Sequence, residues 1–140
     1  MTGEGGEAPV ETPVAAPEAL IARFLSGRPP ATARAYTADL EDFARSHGTT
    51  LEDAVRSLLL GPETARRLAL DYALELRRRG LAQATVRRRL ATLRALLGTA
   101  QALGWITWEL ELPTEQEVEL AAAERMERER SSYLLPRHPR

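Results

Sequence analysis

Gln83-Ala84-Thr85-Val86-Arg87-Arg88-Arg89-Leu90-Ala91-Thr92-Leu93-Arg94-Ala95-Leu96-Leu97-Gly98-Thr99-Ala100-Gln101-Ala102-Leu103 is the longest periodic stretch of the 140-residue chain. Val86, Leu90, Leu93, Leu97 and Ala100 recur at three- and four-residue intervals, the spacing that lines up side chains on one face of an α-helix. The pattern predicts a helix from about Gln83 to Leu103, ended by Gly104, with Trp105-Ile106 folding back as an apolar cover. At about 100° per residue, Arg87, Ala91, Arg94, Gly98 and Gln101 share one flank of this helix. Arg88 projects further round, away from the core, and Arg89 leans back toward the core edge as a structural residue.

Working outward, the same logic yields four earlier helices. Leu20, Ile21, Phe24 and Leu25 mark a short leading helix from Glu18, stopped by Gly27-Arg28-Pro29-Pro30. A second helix runs from about Ala31 to Ser46, with Thr32 as its cap and Tyr36, Leu40, Phe43 and Ala44 on one face. His47 in its last turn reads as a partner of the helix dipole, not as a ligand. Thr50 opens a third helix with Leu51, Val55, Leu58 and Leu59 as its apolar side. Pro62 and Glu63 suit the start of a fourth, which carries one stripe of Ala65, Leu68, Ala69, Tyr72 and Leu76 and another of Leu70 and Leu74. Apolar on two sides, that helix belongs in the centre. No segment of 18–106 alternates with period two for long enough to argue a sheet. The fold class expected is therefore all-α: a compact four-helix bundle with a short leading helix.

The flanks differ in kind. Residues 1–17 hold three Gly and three Pro among acids and small residues, a composition expected to stay flexible. Beyond Leu112-Pro113, Thr114 and Glu117 form a capping box. The helix it opens, over 115–130, is almost entirely polar, with only Val118, Ala121, Ala122 and Met126 as a weak seam. That helix is expected to be exposed, partner-bound or frayed, within a 107–140 region of linker, polar helix and tail, the tail being Tyr133-Leu134-Leu135-Pro136 and Arg137-His138-Pro139-Arg140.

Composition excludes several chemistries. There is no Cys, so disulfides, thiolate metal sites and cysteine nucleophiles are out. All 19 basic residues are Arg, which removes any mechanism needing a lysine. Histidine occurs twice, too sparsely for a histidine-rich metal site. The chain has no Gly-rich phosphate loop, and the carboxylate pairs Glu41/Asp42 and Glu52/Asp53 read as solvated or capping. No cofactor is expected. No run approaches the roughly 20 apolar residues of a membrane span, and the acidic start is unlike a secretory signal. The expectation is a soluble cytoplasmic, nucleoid-associated protein.

The net charge of −1 conceals a division. Residues 1–20 carry four Glu and no Arg; residues 21–105 carry 14 Arg against eight acids; residues 106–140 carry five Arg against eight Glu. A basic middle between acidic ends points to a polyanion-binding body. On the long helix, small residues between arginines allow close approach, and guanidinium groups pair with phosphate or with the guanine edge in a major groove. Gln83, Thr85 and the N–H groups at the helix start are neutral donors for phosphate oxygens.

Two stretches carry a family likeness. Thr32-Ala33-Arg34-Ala35-Tyr36-Thr37-Ala38-Asp39-Leu40-Glu41-Asp42-Phe43 resembles the first conserved helix of the core-binding, SAM-like domain of tyrosine recombinases (phage integrases): a Thr, a Tyr four residues on, an Asp-Leu pair and a Phe. Tyr72-Ala73-Leu74-Glu75-Leu76-Arg77-Arg78-Arg79-Gly80-Leu81-Ala82-Gln83-Ala84-Thr85-Val86-Arg87-Arg88-Arg89-Leu90-Ala91-Thr92-Leu93-Arg94, followed by Ala100, Gly104, Trp105 and Ile106, resembles the same domain's Gly-Leu-Ser-x-x-Thr-Val-x-Arg-x-Leu-Ser-x-Leu-Arg signature. The likeness covers about residues 18–106. It implies a helical clamp on duplex DNA, with Thr85, Arg87, Arg88 and Arg94 on the DNA-facing helix, and Tyr36, Leu40, Phe43, Leu90 and Leu93 in the core. Thr32 and Arg34 fall near the start of another helix that approaches the backbone, and Arg66, Arg67, Gln83 and Gln101 complete the candidate DNA-binding set.

The recombinases' catalytic domain carries an Arg, a Lys, a His-x-x-Arg pair, a further His or Trp and a nucleophilic Tyr. Here 27 residues follow Pro113 and Lys is absent. Residues 112–118 resemble the interdomain linker and the first turn of that domain, so the polypeptide is expected to stop as it begins, and to be non-catalytic in this form. The Asn-Pro usual after the last helix is replaced by Thr107-Trp108-Glu109. The expected partner is double-stranded DNA. The alternative is a protein–protein adaptor, docking on an intact recombinase or on another copy of itself through the bundle or the 114–130 helix.

Overall fold

A computed structural model describes residues 16–134, and every element among them is helical. The helices are α1 (Pro17–Leu25), α2 (Pro30–Ser46), α3 (Leu51–Leu58), α4 (Pro62–Arg78), α5 (Gln83–Ala102) and α6 (Glu115–Leu134). The fold is all-α, and no described helix is long and apolar enough to cross a membrane. Most of the leader, residues 1–15, and the end from residue 135 onward lie outside the described residues.

Punctuation in the sequence sets the boundaries. Proline opens α1, α2 and α4, where its missing N–H leaves no bond unmade. Thr50 caps α3 by accepting the Asp53 N–H at 3.1 Å. Thr32 does not cap α2: the helix begins at Pro30, behind cap residue Pro29, and Thr32 lies inside its first turn. Two glycine turns bracket α5. Gly80 (φ 84°) follows α4, with its N–H on the Arg77 carbonyl and the Leu81 N–H on the Leu76 carbonyl. Gly104 (φ 80°) follows α5 with the equivalent bonds to Gln101 and Ala100. Each is a left-handed closure that a side chain would strain, and each turns the next apolar residue, Leu81 or Trp105, back onto the core.

Helices α1 to α5 pack around one core. The leading helix is a full member of it: Leu20 and Phe24 are buried, and α1 packs on α2, α3 and α5. Helix α4 is central as expected, packing on α2, α3, α5 and α6. Tyr72 meets Phe43 edge to face, with ring centroids 5.3 Å apart. Residues 107–113 are not a loose linker. Leu110 and Pro113 are buried and Trp108 and Leu112 half-buried, because every apolar side chain of this short segment finds the bundle.

Polar groups also enter the interior. Asp39 and Asp42, three residues apart on α2, are 4% and 8% exposed. The surface placement expected for Asp42 is thus corrected. Asp42 accepts the Tyr72 hydroxyl at 2.6 Å, Arg79 at 3.1 Å and Arg89 at 2.9 Å, tying α2 to α4 and α5. Burial pushes its carboxyl up, but the Tyr72 and Arg79 hydrogen bonds and the Arg79 and Arg89 charges outweigh that and hold it below its ordinary value. Burial, then the bond to Asp42, pushes the Tyr72 hydroxyl well up, so it stays a donor.

Candidate nucleic-acid interface

The exposed side of α5 follows from the burial of its other side. Leu90, Leu93, Leu96, Leu97 and Ala100 are buried, which leaves Arg87, Ala91, Arg94, Gly98 and Gln101 exposed along one flank, as the helical projection required. Arg94 makes no ion pair or side-chain hydrogen bond among the described residues. Ala91 and Gly98 on either side of it are small and exposed, and on the Ala91 side residues 112–116 form the far wall of the hollow into which the flank opens. At the start of α5, cap residue Ala82 offers no side-chain acceptor and the first turn holds no acid. Its N–H groups therefore keep their donors and the positive end of the helix dipole is not offset locally. Gln83 is exposed there and Thr85 half-buried.

Not every candidate is equally open. Arg87 pairs with Glu115 at the start of α6. Arg66 donates to both carboxylate oxygens of Glu117, at 2.7 and 2.8 Å. Arg88 does not project freely. Its guanidinium forms two bonds to Asp39, at 2.8 and 3.1 Å, and Thr92 completes the same carboxylate at 2.7 Å. The projection located its Cα correctly; the long side chain reaches round to a buried acid on α2. Its side chain is still 53% exposed, so its remaining donors face solvent. Arg89 is the structural residue expected, bound to Asp42. Arg34 on α2 and Arg67 on α4 are exposed, Thr32 is half-buried, and none of the three shares an ion pair or hydrogen bond with the α5 flank.

Comparison with protein-family models, curated proteins and solved structures finds no match.

Sequence reasoning missed the seat of α6. The capping box is present as read: Glu117 N–H donates to Thr114 Oγ1 at 3.1 Å and Thr114 N–H to Glu117 Oε1 at 2.8 Å. The helix it starts is docked on α4 through its first turns, which periodicity did not foretell, and is exposed as expected from residue 123 to residue 132. Besides Arg66–Glu117, Arg77 pairs with Glu119 at 2.8 Å and Arg125 with Asp71 at 3.5 Å. The Arg66 bond, then the Thr114 N–H, holds the Glu117 carboxyl below its ordinary value. The overlooked signal was the run Glu115, Glu117, Glu119 matched by Arg66 and Arg77 on α4. Of the weak seam, Val118 packs against the core, Ala121 and Ala122 are half-buried and Met126 is exposed.

Proposed function

We propose that the chain is a duplex-DNA-binding module of tyrosine-recombinase core-binding type, non-catalytic in this form, which lays α5 against the groove. The observation that carries this reading is the exposed flank of α5: Arg94 with no ion pair among the described residues, set between Ala91 and Gly98 and in line with Gln101 and with Arg87, which is paired to Glu115, the hollow beside it being walled by residues 112–116. Arginines on that flank supply phosphate contacts, and those nearest the groove floor read base edges. A further support is that the two stretches carrying the recombinase likeness meet in space. Asp39 of the first holds Arg88 and Thr92 of the second.

The test is a fluorescence titration of the full chain against a labelled 30-base-pair duplex over roughly 50–200 mM salt. Binding is expected at Kd on the order of micromolar or weaker, as for non-specific modules. Three to four phosphate contacts would give a log–log salt slope of about −3. A slope near zero refutes the reading, as does no binding at about 100 μM chain. The adaptor alternative draws less support. Leu120 and Met126 are exposed on α6, but they lie about 120° apart around the helix and form no single apolar face.

A further inference from the structure

We infer that Arg66, Arg77 and Arg87 form a second phosphate-binding face, which α6 covers in the DNA-free protein as an acidic strap that the DNA backbone displaces. The inference rests on the DNA-binding reading of α5. It adds Arg77, which that reading does not use, and gives α6 a task.

The seating of α6 is the argument. Glu115 and Glu119, one turn apart, reach Arg87 and Arg77; Glu117, on the other flank, reaches Arg66. Three carboxylates in the first turns thus engage three guanidinium groups, two of them on the candidate DNA-binding set. Between the flanks, Val118 is the α6 side chain packed against the core. A hollow walled by Leu81, Val86, Leu90 and Val118 remains beneath it, so the contact falls short of interior packing. From residue 123 to residue 132 every side chain is exposed.

What holds α6 is therefore mostly ionic. The arginine side chains are 37%, 42% and 61% exposed, and such pairs are weak one by one and screened by salt. A carboxylate and a phosphate present the same paired oxygens to a guanidinium fork, so the DNA backbone competes for the same donors. Release does not require melting. The Thr114–Glu117 box closes the start of α6 within α6 itself, and buried Pro113 fixes the point from which it swings.

The test uses the full chain and the same labelled duplex at about 100 mM salt. E115Q/E117Q/E119Q keeps the capping box, because Gln serves as well as Glu there, and is expected to bind about tenfold tighter than the parent. The control E124Q/E127Q/E129Q changes the net charge equally at exposed positions without ion pairs among the described residues. It is expected to gain less than about threefold. Adding R66Q/R77Q to the first triple should cancel most of its gain. Equal gains in the two triples, or a gain that survives R66Q/R77Q, overturn the inference. A parent that binds with an E115Q/E117Q/E119Q variant that binds no tighter overturns the strap and leaves the α5 reading standing. If neither the parent nor any variant binds duplex, both fall together.

Discussion

Asp42→Ala lowers the unfolding free energy by about 3 kcal/mol, the low end of the cost of removing one partner from a buried charge network. The substitution strands the Tyr72 hydroxyl in the core and takes from Arg79 and Arg89 the carboxylate between them. Arg79 and Arg89 keep edges toward solvent, 31% and 24% exposed, which limits the loss. Urea unfolding followed by circular dichroism measures it. A change under about 1 kcal/mol would mean that the network behaves as solvated surface charge. The effect depends on pH in a set direction. A carboxyl whose pKa is depressed by folding adds stability above its unfolded value and loses it as pH falls through the folded one. The difference between parent and variant should thus be full near neutrality and narrow below about pH 4, where the carboxyl of the unfolded chain takes up its proton before the folded one does. A difference that widens on acidification contradicts the assignment.

The second large effect concerns the open flank of α5. Arg87→Ala with Arg94→Ala weakens duplex binding on the order of tenfold or more at about 50 mM salt, and makes the salt slope shallower by about 1.8. Both side chains are exposed, and their removal takes nothing from the core, so the helical circular dichroism and the unfolding midpoint should stay near those of the parent. Unchanged affinity in a folded double variant removes α5 from the interface. Of the two, Arg94 should count for more in the intact chain, because Arg87 starts out paired to Glu115.

Much of the bundle was legible because it rests on local chemistry. Helical periodicity, proline at helix starts, glycine after helix ends and a Thr-x-x-Glu box each act within a few residues, and α2 to α5 and the start of α6 could be bounded from them, whereas α6 continues to Leu134, four residues past its expected end. What stayed hidden depends on partners far along the chain. Asp42 looks like a solvated acid until Tyr72, thirty residues later, is seen to need an acceptor for a buried hydroxyl. That need was readable in principle, since Tyr72 sits in an apolar stripe. Arg88 misled for another reason: a helical wheel locates the Cα, while the guanidinium ends a side chain's length away, at Asp39. Helix α6 looked homeless because its composition is polar; its seat consists of arginines on other helices, which no periodicity in its own residues displays.

The paired glycine closures around α5 have a mechanical consequence. With Leu81 and Trp105 both half-buried against the core, the helix is anchored at its two ends. The Cα atoms of Arg87 and Arg94, seven residues apart, are then about 10 Å apart along the helix axis, close to three base-pair steps of rise. A duplex bound on this flank would meet a fixed axial spacing of helix positions, and adjustment to it would fall to the arginine side chains, to α6 and to the duplex.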